Sequence, residues 1–148
     1  MTGTSQDVEV REFFARFESA SESLNSDTLG TCFAEVFMAA DPSGAQPVPL
    51  AGFLSVLPRR KEMFAAAGIG PVTLTDLTHI DLDEHYVLVH TTWTTERRDA
   101  SDGAGSVTLL SSYILRRSSD GLRIVFYLNH KDLADVLRPD GGDDSGSI

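Results

Sequence analysis

The chain has 148 residues, 41% of them hydrophobic, and a formal charge of −10 from 12 basic and 22 acidic side chains. That length suits one domain whose core needs no staples. The acidic balance excludes nucleic acid and membrane surfaces as partners, because phosphate backbones and anionic headgroups repel it.

Cys32 is the single cysteine and cannot form an internal disulfide, and the polar segment Thr2 to Asp7 lacks the basic and apolar regions of a signal peptide. A cytoplasmic location is therefore expected. Apolar runs are only a few residues long, far below the roughly 20 needed to cross a bilayer.

Val10, Phe13, Phe14, Phe17, Ala20 and Leu24 recur at helical spacing, with Glu9, Arg11, Glu12, Arg16 and Glu18 on the other side. They predict a long amphipathic first helix. Asn25-Ser26-Asp27 breaks it and can cap a second helix carrying Leu29, Cys32, Phe33 and Val36. A short strand then runs to Asp41. Residues 45 to 50 hold Pro47 and Pro49 and read as a loop or edge. Phe53, Leu54, Leu57, Met63 and Phe64 build a third helix, which Pro58 should kink or split and Gly68 should close.

From Val72 the hydrophobic period changes towards two, giving strands at about 72 to 82, 86 to 96, 107 to 117 and 122 to 129. The connections at Asp83-Glu84, Asp99 to Ser106 and Ser118 to Gly121 are polar and short, as antiparallel neighbours require. Lys131 to Leu137 can add a terminal helical turn. Pro139 to Ser147 has nothing to bury, so the reading is one domain over residues 1–138 and a disordered acidic tail over 139–148. The order predicts an α+β fold: a curved antiparallel sheet forming a cone, packed against three N-terminal helices.

The same order, with the Asp41-Pro42-Ser43-Gly44 turn after the first strand and the pair Tyr113 to Arg117 and Asp120 to Ile124, resembles the nuclear-transport-factor-2-like superfamily. It looks most like the SnoaL-like polyketide cyclases and ketosteroid isomerases, over residues 8 to 137. The resemblance implies a cystatin-like cone holding a small apolar molecule, no cofactor, and a homodimer formed through the sheet. In ketosteroid isomerases the carboxylate of this motif shuttles a proton beside a carbonyl, while a tyrosine and a protonated aspartate hold the oxyanion. Asp41 matches the first role, Phe17 stands where the tyrosine would, and the second donor falls on or near Tyr113. One match in three weighs against true steroid isomerisation.

Asp41 has two readings. In an apolar cavity its pKa would rise and it would serve as general base. Asp-Pro-Ser-Gly is equally the composition of a type I turn, in which the carboxylate bonds nearby amides. If the loop 97 to 106 reverses the chain symmetrically, His90 lies opposite Tyr113 as an acid-base couple, and a one-residue slip separates them. Phe17, Phe37, Trp93, Tyr127 and Asn129 are the candidate ligand contacts, although Trp93 also fits ordinary sheet core. Which face of the last strand turns inward, that of Ile124, Phe126, Leu128 and His130 or that of Val125, Tyr127 and Asn129, stays open.

Arg59-Arg60-Lys61 can receive an anion near the cone's mouth or form a solvated helix face with Glu62. Cys32 reads as a buried, inert thiol, and His79 and His85 as solvated. No histidine, cysteine or carboxylate set has metal spacing, so no metal is expected, and no phosphate-binding loop or nucleophile-elbow motif occurs. Two functions follow. One is a cofactor-free isomerase, cyclase or hydrolase in which Asp41, helped by His90 or Tyr113, acts on a small apolar carbonyl compound or epoxide. The other is a non-catalytic ligand-binding or dimeric assembly module.

Overall fold

The computed structural model describes residues 2 to 97 and 105 to 131. Helix α1 (Thr2–Ser23) buries Val10, Phe13, Phe14, Phe17 and Ala20, the stripe expected from their spacing. It closes one residue earlier than the stripe suggests. Leu24 takes the left-handed position at φ 55°, and the Asn25 N–H reaches back to the Ala20 carbonyl at 2.9 Å. Asn25 then caps α2 (Ser26–Cys32), its side chain accepting from the Thr28 N–H at 3.1 Å.

The second helix is shorter than its apolar spacing implies. Phe33 is already extended, and strand β1 (Phe33–Asp41) carries Phe33 and Val36, the latter 58% exposed. Aromatic and β-branched residues suit a pleated sheet, and pairing of Phe33 with Ile124 and of Val36 with Pro49 overrides a four-residue helical match. Pro42 and Ser43 turn β1 into the edge strand β2 (Gly44–Pro49), where the missing N–H groups of Pro47 and Pro49 are tolerated. Helix α3 (Leu50–Ala66) runs through Pro58 without splitting, and Gly68, at φ 82°, lets the Ile69 N–H close on the Phe64 carbonyl at 2.9 Å.

Strands β3 (Thr73–Asp81), β4 (Tyr86–Arg97), β5 (Gly105–Ser118) and β6 (Gly121–Asn129) complete a six-stranded curved sheet in the order β2-β1-β6-β5-β4-β3. The α+β architecture is the expected one, with a correction: β1 and β6 run parallel, so the sheet is mixed rather than wholly antiparallel. The terminal turn expected at 131 to 137 and the acidic tail lie outside the described residues, apart from Lys131.

Two register details decide which side chains face inward. Val89 pairs with Tyr113 and His90 with Ser112, one residue away from the symmetric pairing, so Tyr113 and His90 lie on opposite faces. On β6 the register shifts between Ile124, opposite Leu115, and Phe126, opposite Ile114, leaving Val125 as a bulge. Ile124 and Tyr127 therefore both join the core side, while Phe126 and Leu128 take the outer face.

The core lies between the inner face and the helices, built from Phe13, Phe14 and Phe17 of α1, Phe33 and Phe37 of β1, Trp93, Tyr113 and Ile124. Helix α1 also protects the edge strand β3. Arg11 donates to the Leu77 carbonyl, the Leu74 N–H donates to Glu18 at 3.0 Å, and His79 meets Asp7 at 3.0 Å. His79 is thus a docking contact of α1, correcting the expectation that it is solvated.

Candidate functional site

Aromatic rings fill the space between α1 and the sheet. Phe17 packs on Phe33, Tyr113 and Trp93 with centroids 5.8, 6.1 and 6.2 Å away, and Phe33 packs on Phe37 at 4.7 Å. Phe17, Phe37 and Trp93 are consequently core residues, 8% exposed or less. They do not line the cavity described next.

A cavity of about 500 Å³ opens at the mouth, where the β1–β2 hairpin, the first turns of α3 and the end of β6 meet. Its walls follow from two periodicities. On α3, Gly52, Phe53, Val56 and Arg60 fall on one side of the helix at steps of one, three and four residues. On the sheet, Ala39 and Asp41 of β1, Gln46 and Val48 of β2, and Tyr127 and Asn129 of β6 alternate inward. Pairing aligns Gln46, Ala39 and Tyr127 in one rung. Small residues make the room: Ala39 occupies the middle of that rung, and a Cβ added at Gly52 would meet no atom within 4 Å.

Asp41 sits at the rim with its carboxylate engaged. Oδ1 accepts both the Ser43 N–H at 2.8 Å and the Ser43 hydroxyl at 2.6 Å. These bonds, the hydroxyl first, hold the carboxyl below its usual range. The pKa elevation expected of an Asp41 base is absent, since the solvent-facing turn supplies donors instead of an apolar surround.

Tyr113 and His90 do not form a couple. Tyr113 is buried beneath Phe14 and stacked on Tyr127 at 5.0 Å, and burial pushes its phenol well above the ordinary value. It shares a polar seam with Thr91, Ser111 and Trp93, in which the Trp93 indole donates to the Thr91 hydroxyl at 2.8 Å and the Ser111 hydroxyl donates to Asn129 Oδ1 at 3.1 Å. The seam therefore ends at the cavity wall. His90 lies on the outer face, where the Ser112 hydroxyl contacts its Nδ1 at 2.7 Å and His130 Nε2 at 2.7 Å. A hydroxyl carries one proton and accepts through its lone pairs, so the two contacts are complementary when one ring donates and the other accepts.

Of the sequence candidates, Asp41, Tyr127 and Asn129 line the cavity. Val48, Gly52, Phe53, Val56 and Arg60 line it too; of these only Arg60, within the basic run read as able to receive an anion near the mouth, was expected to meet a ligand. The basic run at Arg59 to Lys61 was the one available signal for Arg60. Among the described residues no three histidine, cysteine or carboxylate side chains lie together as metal ligands. Cys32 is buried, which raises its thiol pKa.

Among solved structures, the chain is similar to a nuclear-transport-factor-2-like protein with a cystatin-like fold from Novosphingobium aromaticivorans, at 17% identity over 97% of this chain and 88% of that one, with a TM-score of 0.67. The fold is nuclear-transport-factor-2-like. A second similar structure is a protein of this type, of unknown function, from Shewanella oneidensis, at 12% identity over 85% of this chain and 99% of that one, TM-score 0.67. A third is Aln2 from a Streptomyces species, at 17% identity over 89% of this chain and 94% of that one, TM-score 0.68. No family model and no curated protein matches the sequence. Among the described residues, no helix is long and apolar enough to cross a membrane.

Proposed function

We propose that this chain is a small-molecule-binding module whose ligand occupies the mouth cavity, with Asp41 serving as a turn residue rather than a general base. The supporting observation is the pairing of a roomy, mixed-polarity cavity with a carboxylate already committed to Ser43. About 500 Å³ lies within the range of roughly 300–1,000 Å³ typical of small-ligand sites. Val48, Phe53 and Val56 offer apolar surface, and Tyr127 and Asn129 offer orienting polar groups. A base would need a carboxyl tuned towards neutral pH, and Asp41 is tuned the other way.

The test is amide NMR of the chain titrated with a small library of neutral and charged aromatic compounds. Shifts confined to the β1–β2 hairpin, α3 and the end of β6, abolished by Gly52→Trp, are the expected result. Hits that map elsewhere, or no hit at millimolar concentration, would overturn the reading.

We also propose that a second copy covers the outer sheet face. Register aligns Pro47, Met38, Phe126, Ile114, Leu88 and Ile80 in one apolar row across all six strands, and Ile80 is 59% exposed. A continuous apolar band of this kind supports an interface better than scattered exposed residues do. Sedimentation at micromolar concentration should give a dimer that Leu88→Glu dissociates. A monomer under those conditions contradicts the proposal.

A further inference from the structure

The wall of the mouth cavity is rich in unspent donors. Arg60 lies over the Phe53 ring with its guanidinium carbon 5.8 Å from the centroid. A cation on a ring face is held by the π cloud, while its N–H edge keeps the fork geometry that fits a planar acceptor. Among the described residues, no carboxylate or carbonyl accepts from Arg60. Its neighbour Lys61, by contrast, donates to the Glu22 carbonyl.

Asn129 adds to the same polarity. Its side-chain oxygen already accepts the Ser111 hydroxyl, while among the described residues no acceptor takes its NH₂, which is free to donate to a ligand. The carboxylate that could answer these donors, Asp41, spends Oδ1 on Ser43. Val48, Phe53 and Val56 add apolar surface to the same lining, Phe53 contributing a planar ring.

We infer that the ligand of this cavity is the carboxylate of a small, flat, largely apolar acid, anchored by Arg60 and oriented by Asn129. The inference rests on the binding reading above and names its ligand class. Among the described residues Arg60 makes no ion pair, so an apolar carbonyl compound would leave its fork without a charged acceptor in contact, whereas a carboxylate pairs with it in two parallel hydrogen bonds. The Asp41 carboxylate in the same wall opposes the acid and reduces that gain. The chain's charge of −10 opposes anions at long range. Salt screens that field beyond about 10 Å at 0.1 M, so the contact pair sets the preference.

The experiment compares 2-naphthoic acid with 2-naphthamide, which share a body and differ in charge, by calorimetry and amide NMR on the whole chain. The acid should bind about tenfold or more tightly than the amide. Arg60→Gln should remove that difference while the amide still binds, and Arg60→Lys should restore part of it. Arg59→Gln makes the same change in net charge at an exposed residue outside the cavity, and should leave the preference intact. Equal affinity for acid and amide, or equal losses with Arg59→Gln and Arg60→Gln, would overturn the assignment while leaving the cavity a binding site. Failure of both compounds and of every neutral library member to reach the cavity would remove the binding reading itself.

Discussion

Ser43 holds Asp41 through two donors to one oxygen, its N–H at 2.8 Å and its hydroxyl at 2.6 Å. The geometry is that of an Asx turn, in which the side chain satisfies the amide two residues on, and it closes the β1–β2 hairpin where Asp41 pairs with Gly44. Because the folded carboxyl pKa lies below its unfolded value, the clamp stabilises the hairpin above about pH 4 and is lost as pH falls through the folded value. Ser43→Ala should move the Asp41 pKa upward towards the free value and raise amide exchange in β2. No change in either would assign the hairpin's order to other bonds.

Gly52 offers a probe of the cavity that leaves the core untouched. Its helical position has open space where a Cβ would stand, so Gly52→Ala should stabilise the chain by about 0.4–1 kcal/mol, chiefly by restricting the unfolded state. Gly52→Trp should keep the melting temperature within a few degrees and abolish ligand binding. A large destabilisation by Gly52→Ala would mean the helix does not begin where the structure places it.

Phe17 tests the aromatic core. It is 8% exposed and meets Phe33, Trp93 and Tyr113, so Phe17→Ala should cost about 3–5 kcal/mol in a denaturant melt. A loss near zero would show that α1 does not pack on the sheet through this face.

On the outer face, Ser112 joins His90 to His130. Removing the hydroxyl in Ser112→Ala should cost about 1 kcal/mol, the net value of a neutral hydrogen bond with partners that water can reach. The imidazole nitrogen resonances of both histidines should shift together in this variant. Independent behaviour of the two rings would mean that the serine does not couple them.

Much of the architecture was legible because each signal was local. The α1 stripe, the Asn25 cap, the Gly68 closure and four strands marked by β-branched residues between polar turns all depend on neighbours in the chain. Where long-range pairing decided, the sequence was silent. Phe33 and Val36 fit a helix until pairing with β6 and β2 claimed them for a strand, and the β4–β5 register differs by one residue from the symmetric guess, which sends His90 and Tyr113 to opposite faces.

The candidate site was only half legible for the same reason. Asp41 stood out through its turn motif, and Tyr127 and Asn129 through their alternation. On the α3 side only the basic run containing Arg60 gave a signal, since the step from Gly52 to Arg60 marks a face without saying what that face meets. The Val125 bulge, which turns both Ile124 and Tyr127 inward, has no signature in an apolar strand.

The claim that the mouth cavity binds without an Asp41 base is tested most directly by the carboxyl pKa of Asp41, measured by NMR titration of the folded chain. The account predicts a value below the ~3.9 of a free aspartate, with the Ser43 amide titrating at the same midpoint. A value raised by about two units or more would place Asp41 in an apolar surround as a working acid or base, and would contradict the account.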